Sequence, residues 1–111
     1  MLLEDRALIN LRKGVSEYCV LAMLRQSPAY GLELARRLES DGLIASSSTL
    51  YPLLSRLSAA GFVDSEWGES DRGRPRKYYV LTSTGERALE AFQSIWIPLR
   101  DAVDRTVKGG P

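Results

Sequence analysis

The sequence predicts a mainly α fold with one small β-hairpin, closed by a long C-terminal helix, and three observations lead there. Between residues 47 and 57 the apolar Leu50, Leu53, Leu54 and Leu57 recur at i, i+3, i+4 and i+7, the stripe that one face of a helix buries. Phe62 to Trp67 and Lys77 to Leu81 are short runs rich in aromatic and β-branched residues. They flank a segment of Gly, Pro and Arg, which is the pattern of a hairpin. Finally, Leu89, Phe92, Trp96, Leu99 and Val103 recur at alternating steps of three and four residues. That 3.5-residue spacing marks a short coiled-coil seam.

Each element follows in order. Residues 4 to 12 form a short helix with an apolar edge of Leu8, Ile9 and Leu11, and Gly14 interrupts it. Val15 to Gln26 is apolar nearly all round and belongs at the centre of the core; Ser27-Pro28 ends it. From Tyr30 to Ser40, Gly31, Leu34, Ala35 and Leu38 share a face, and Asp41-Gly42 closes the helix. Residues 42 to 46 turn into the next helix, capped by Ser47 or Ser48. Pro52, close to its start, costs one backbone hydrogen bond. Gly61 stops that helix, and the hairpin follows. Thr82 or Ser83 caps the last helix, Ser83 and Glu86 having the spacing of a capping box. It runs to Val107, about 25 residues or roughly 37 Å, too long for so small a domain to cover its apolar stripe. A second copy of the chain is the simplest cover. Pro98 removes a bond to Ser94 and bends the axis.

Composition bounds the function. At 111 residues, 44% apolar and 26% charged, the chain is one globular domain with an added helix. The net charge of +1 makes no bulk case for nucleic acid, so the charge distribution has to carry it. Residues 1 to 81 hold eleven Lys or Arg against ten Asp or Glu, yet Gly68 to Lys77 holds four cations against Glu69 and Asp71 alone. Cys19 is the single cysteine, a buried free thiol that suits a reducing cytoplasm. No histidine is present, which excludes His-dependent hydrolysis and imidazole metal ligation; with scattered carboxylates, no enzyme, metal or cofactor is expected. The longest apolar run, Tyr18 to Leu24, is too short to span a membrane.

The helix that opens at Ser47 or Ser48 and stops at Gly61 turns Ser48, Pro52, Ser55 and Ala59 outward, flanked by Tyr51 and Arg56. That face lacks carboxylates, is small or hydrogen-bonding, and begins at a helix N-terminus, which suits a DNA groove. Arg72, Arg74, Arg76 and Lys77 make a basic wing for phosphate, although neighbours alternate in direction along a strand, so one of Arg76 and Lys77 faces away. Tyr78 and Tyr79 likewise point to opposite faces, at least one into the core.

Three helices, a two-stranded wing and a long terminal helix, in that order, make a winged helix-turn-helix. The segments Leu11-Arg12-Lys13-Gly14, Ala29-Tyr30-Gly31-Leu32-Glu33-Leu34, Thr49-Leu50-Tyr51-Pro52-Leu53-Leu54-Ser55-Arg56-Leu57, Gly61-Phe62-Val63 and Gly73-Arg74-Pro75-Arg76-Lys77-Tyr78-Tyr79-Val80-Leu81-Thr82 resemble those of PadR-type transcriptional regulators of the short subfamily. The resemblance spans about residues 11 to 104. It implies a DNA-binding domain over 1–82 and a dimerisation helix over 83–108. It also implies a homodimeric repressor on double-stranded DNA, with recognition helices in major grooves of a palindrome, roughly 34 Å apart. By matching position, Tyr30, Thr49, Tyr51 and Pro52 approach DNA, and Arg74 and Lys77 serve the wing; with Ser48, Ser55, Arg56 and Arg72 they complete the expected DNA surface. Where such regulators carry an acidic residue and glycine before Thr-Leu-Tyr-Pro, this chain has Ser47-Ser48, so no base preference carries over.

Leu8, Leu89, Phe92, Trp96, Leu99 and Val103 are the expected dimerisation residues. Two Trp96 side chains near a dimer axis leave a flat apolar slot, so Phe92 and Trp96, helped by Ala7 or Leu8, are the expected site for a planar aromatic or hydrophobic effector. The rival reading is a winged-helix module that binds protein instead of sequence-specific DNA.

Overall fold

The computed structural model describes residues 2–69 and 75–109. In chain order these form α1 (Leu3–Gln26), β1 (Ala29–Tyr30), α2 (Gly31–Ser40), a 3₁₀ turn (Ser47–Thr49), α3 (Leu50–Ala59), β2 (Val63–Glu69), β3 (Pro75–Leu81) and α4 (Ser83–Lys108). This is a winged helix-turn-helix with a long terminal helix, mainly α with a small antiparallel sheet.

Two elements depart from the sequence reading. α1 is one continuous helix, uninterrupted at Gly14. A mid-helix glycine costs only about 1 kcal/mol relative to alanine. The C-terminal half of α1, with Ser16, Val20, Leu21 and Leu24 buried, anchors the helix firmly enough to exceed that cost. The sheet has a third strand: β1 pairs antiparallel with β3 in the order β1-β3-β2, with Ala29 opposite Tyr79 and Tyr30 opposite Tyr78. Two residues are too short to show a period of two. β2 and β3 run in register from Val63 opposite Leu81 to Glu69 opposite Pro75.

The core lies where α1, α2 and α3 meet the sheet. The expected stripe of Leu50, Leu53, Leu54 and Leu57 is buried whole, against Leu21, Leu34 and Leu38. Each such side chain contributes roughly 1.5–3 kcal/mol by leaving water. Tyr79 faces this core while Tyr78, on the other face of β3, is half-buried. Cys19 is half-buried at the core's edge, and burial pushes its thiol pKa up.

At the sheet's far end Thr82, not Ser83, caps α4. Its Oγ1 accepts from the Gly85 N–H at 3.0 Å and donates to the Gly61 carbonyl at 2.6 Å. Gly85 permits the close packing of α4 on the chain entering β2: a Cβ there would sit 2.1 Å from the Phe62 carbonyl oxygen. α4 continues through Pro98 to Lys108, because losing one interior bond does not stop a helix with nearly three further turns to propagate. Among the described residues no helix is long and apolar enough to cross a membrane.

Candidate nucleic-acid interface

α3 is held from behind and open in front. Its buried leucines fix its rotation, which leaves Ser48, Thr49, Tyr51, Pro52, Ser55 and Arg56 exposed at its start and along its outer face. No acidic residue occupies its first turn. The start is built differently from the expected serine cap. Ser47 begins a 3₁₀ turn whose Thr49 Oγ1 donates to the Ser46 carbonyl at 2.7 Å, and Ser46 and Ser48 share a hydroxyl bond of 2.8 Å. Neither Ser47 nor Ser48 caps α3, whose N-cap position is Thr49 without a side-chain cap bond. Pro52 is consequently the third residue of α3, among the N–H groups that have no intrahelical partner anyway, so it costs no bond.

Tyr51 leans back over the start of α2. Gly31 provides the room: a Cβ there would lie 3.1 Å from Tyr51 Cε1 and 3.3 Å from its hydroxyl. Tyr30, which ends β1, donates its backbone N–H to Glu33 Oε1 at 3.0 Å and so turns the chain into α2. Around these residues opens a cleft of about 330 Å³ lined by Tyr30, Gly31, Leu32, Tyr51, Arg76, Lys77 and Tyr79, without a carboxylate. It gathers residues from β1, α2, α3 and β3, the first two far from the others in sequence. Arg76 stands with its guanidinium carbon 4.9 Å from the Tyr30 ring centroid, and Lys77 Nζ lies 5.9 Å from that of Tyr79. Both line the cleft although they alternate along β3, because long side chains on either face reach the rim. Burial raises the pKa of Tyr79 and the neighbouring Tyr51 adds to the rise, so Tyr79 enters the cleft wall as a neutral phenol.

Of the other expected DNA residues, Arg56 pairs with Glu17 Oε1 of α1 at 3.4 Å. With Thr49 it lines a separate hollow of about 250 Å³ beside Arg12, Lys13 and Ser16. Ser16 Oγ donates to the Leu43 carbonyl at 2.9 Å and Arg12 Nε to the Gly42 carbonyl at 3.0 Å. α1 therefore holds both the turn and the recognition helix. Arg72 and Arg74 lie outside the described residues.

A second feature lies on the opposite side of α1. Tyr18 stacks on Phe92 with centroids 4.4 Å apart and planes within 6°, and Phe92 meets Trp96 at 5.5 Å. These rings open into a groove of about 490 Å³ between α1 and α4, whose apolar walls include Leu11, Val15, Ile95, Leu99 and Val103. Two expectations are corrected here. Leu89 is 2% exposed inside the chain's own core, because the first two turns of α4 pack on the domain, so it offers no surface to a partner. The α1 residues at the groove are Asn10, Leu11, Gly14, Val15 and Tyr18, not Ala7 or Leu8, since the continuous helix carries those two past the aromatic rings.

Residues 20–91 match the family model described as the transcriptional regulator PadR-like family. The chain belongs to that family. A PadR family regulator from Eggerthella lenta is 35% identical, with a TM-score of 0.84 covering 97% of this chain and 95% of that one. A PadR-like regulator from Bacillus cereus is 32% identical at a TM-score of 0.80, over 91% and 99%. An uncharacterised protein of Lysinibacillus sphaericus is 23% identical over 103 residues, 90% of this chain and 94% of its own. As a PadR-family member the protein is a DNA-binding transcriptional regulator and not an enzyme.

Proposed function

We propose that the protein is a homodimeric repressor that binds a palindromic operator and is released by a planar aromatic or hydrophobic effector. The observation carrying this reading is the carboxylate-free cleft, in which Tyr51 of the recognition helix, Tyr30 of β1 and the cations Arg76 and Lys77 of the wing converge. Phosphate oxygens can meet the cations and hydroxyls while the outer face of α3, with Ser48, Thr49, Pro52 and Ser55, enters the major groove. Arg56 extends that surface from its pairing with Glu17, an exposed ion pair too weak to hold it from a phosphate. Arg72 and Arg74, which the sequence places between β2 and β3, add sequence-independent affinity.

The dimer joins α4 and α1 of two copies. Trp96, Leu99 and Val103 remain 37%, 56% and 49% exposed, with Ile95 and Ile97 beside them, and Leu8 and Leu11 are exposed on α1. So large a contiguous apolar surface is out of place on a free monomer. Residues 1–82 then read DNA and 83–108 set the spacing of two recognition helices at one helical turn. An effector stacking on Trp96 and Phe92 favours a dimer shape with mismatched spacing and weakens DNA binding by its differential affinity.

Selection from random duplexes by the purified protein, followed by sedimentation of the complex, tests this. An enriched inverted repeat bound by two chains is the expected result. Absence of any enriched sequence sinks the operator reading and favours a protein-binding role for the same face. Titration of planar dyes should quench tryptophan fluorescence in the wild type and not in Trp96→Ala; equal quenching in both removes the effector site.

A further inference from the structure

Gly68 of β2 carries no side chain where Tyr78 of β3 leans across it. A Cβ there would lie 2.3 Å from Tyr78 Cε2 and 2.6 Å from its Cδ2, so any side chain displaces the ring. Tyr78 in turn stacks on Tyr30 with centroids 3.8 Å apart and planes at 33°, and its hydroxyl donates to that of Tyr30. The Arg76 guanidinium lies over the same Tyr30 ring, and Arg76 is the residue opposite Gly68 in the β2–β3 ladder. Neither Tyr30 nor Tyr78 belongs to the hydrophobic core, which takes Tyr79 instead. The stack therefore supports the cleft rather than the interior.

We propose that Gly68 is a positioning residue for DNA binding: the missing side chain seats Tyr78 against Tyr30, and this pair holds the Arg76 guanidinium at the cleft mouth for a backbone phosphate. The inference rests on reading the cleft as the DNA surface. An arginine resting on an aromatic face keeps its donors free and forfeits less rotamer freedom when it meets an anion than a freely rotating one. β1 has two residues, so Tyr30 depends on its cross-sheet neighbour for its orientation. Moving Tyr78 moves the platform under Arg76.

The test measures affinity for a fluorescent 30-base-pair mixed-sequence duplex across a salt series, because a phosphate contact is independent of sequence. Arg76→Ala should weaken binding about tenfold, the order of one charge-assisted hydrogen bond, and reduce the slope of log affinity against log salt by about 0.9. Gly68→Ala should reproduce both changes, and the double variant should bind no more weakly than Arg76→Ala alone. Tyr30→Phe, which keeps the ring, should retain the wild-type slope, whereas Tyr30→Leu should lose it. Thermal unfolding of each variant separates loss of fold from loss of the contact, and the Tyr30 pair answers the question should Gly68→Ala unfold. Wild-type slope in Gly68→Ala or in Tyr30→Leu, or losses that add in the double variant, overturns the proposal. If Arg76→Ala and Tyr51→Ala also bind as wild type, the DNA reading of the cleft falls with it.

Discussion

α3 and the second half of α4 are amphipathic helices of the same chain with opposite fates. In α3 every leucine of the stripe is covered, Leu57 to 1% exposure, by α1, α2 and the sheet. In α4 the stripe starts covered at Leu89 and emerges beyond Phe92, leaving Leu99 at 56%. Both stripes are apolar in sequence; the difference in cover is geometric. A helix wedged among three elements finds partners within its own chain, while one of 26 residues outruns the domain that caps its first turn. The covered helix sets stability and leaves a polar face exposed, the one proposed to meet DNA, and the uncovered one carries the surface proposed for a second copy or a ligand.

Substitutions on the two helices should separate these roles, the largest effect coming first. Leu57→Ala should cost about 2–5 kcal/mol of folding free energy, read from urea unfolding, with oligomeric state unchanged in the folded fraction. Trp96→Ala should do the reverse. It should weaken the dimer by about 2–4 kcal/mol, the range of an interface anchor, visible as monomer in sedimentation at micromolar concentration, with the far-ultraviolet circular dichroism of the winged helix retained. A Trp96 variant that stays dimeric would erase the proposed contrast. Tyr51→Ala, on the polar side of the covered helix, should leave both fold and dimer intact and weaken operator binding by about 1–3 kcal/mol in gel shifts.

Thr82 joins the two regions, and Thr82→Ala should cost about 0.5–2 kcal/mol, read as earlier hydrogen exchange at the start of α4 than in α3. The smallest effect should be the pH response of Tyr79. Its folded pKa is raised by burial, so the fold favours the protonated phenol. That contribution is fully present below the ordinary tyrosine value of about 10 and is lost as pH rises through the higher folded value. The urea midpoint of the wild type should fall more steeply above that pH than that of Tyr79→Phe; parallel curves would refute it.

Much of this was legible in the residues themselves. The leucine stripe of α3, the pairing of the hairpin and the long last helix each carry a local period or turn signal that a single stretch of chain displays. The residues themselves named Tyr51 and Lys77, and the family resemblance added Tyr30; the fold gathers all three into one cleft. What could not be read were features made by distant partners. β1 is two residues held by β3, and α1 crosses Gly14 because packing further along outweighs a weak local penalty. Leu89 leaves the seam for the core because the first turns of α4 pack on the domain, chiefly against α1. Ser47 gives up its capping role because a 3₁₀ turn forms on Ser46 and Thr49. Gly31 and Gly68 matter for the rings they admit, and a glycine's letter says nothing of which ring will come. By itself, then, the sequence determined the helical or extended character of the longer segments, though neither β1 nor the unbroken length of α1, and which side of each is apolar, since both follow from periods of a few residues. Only the tertiary structure decided which apolar stripe would be covered and which side chains would share a cleft, because those outcomes depend on where elements far apart along the chain come to rest against one another.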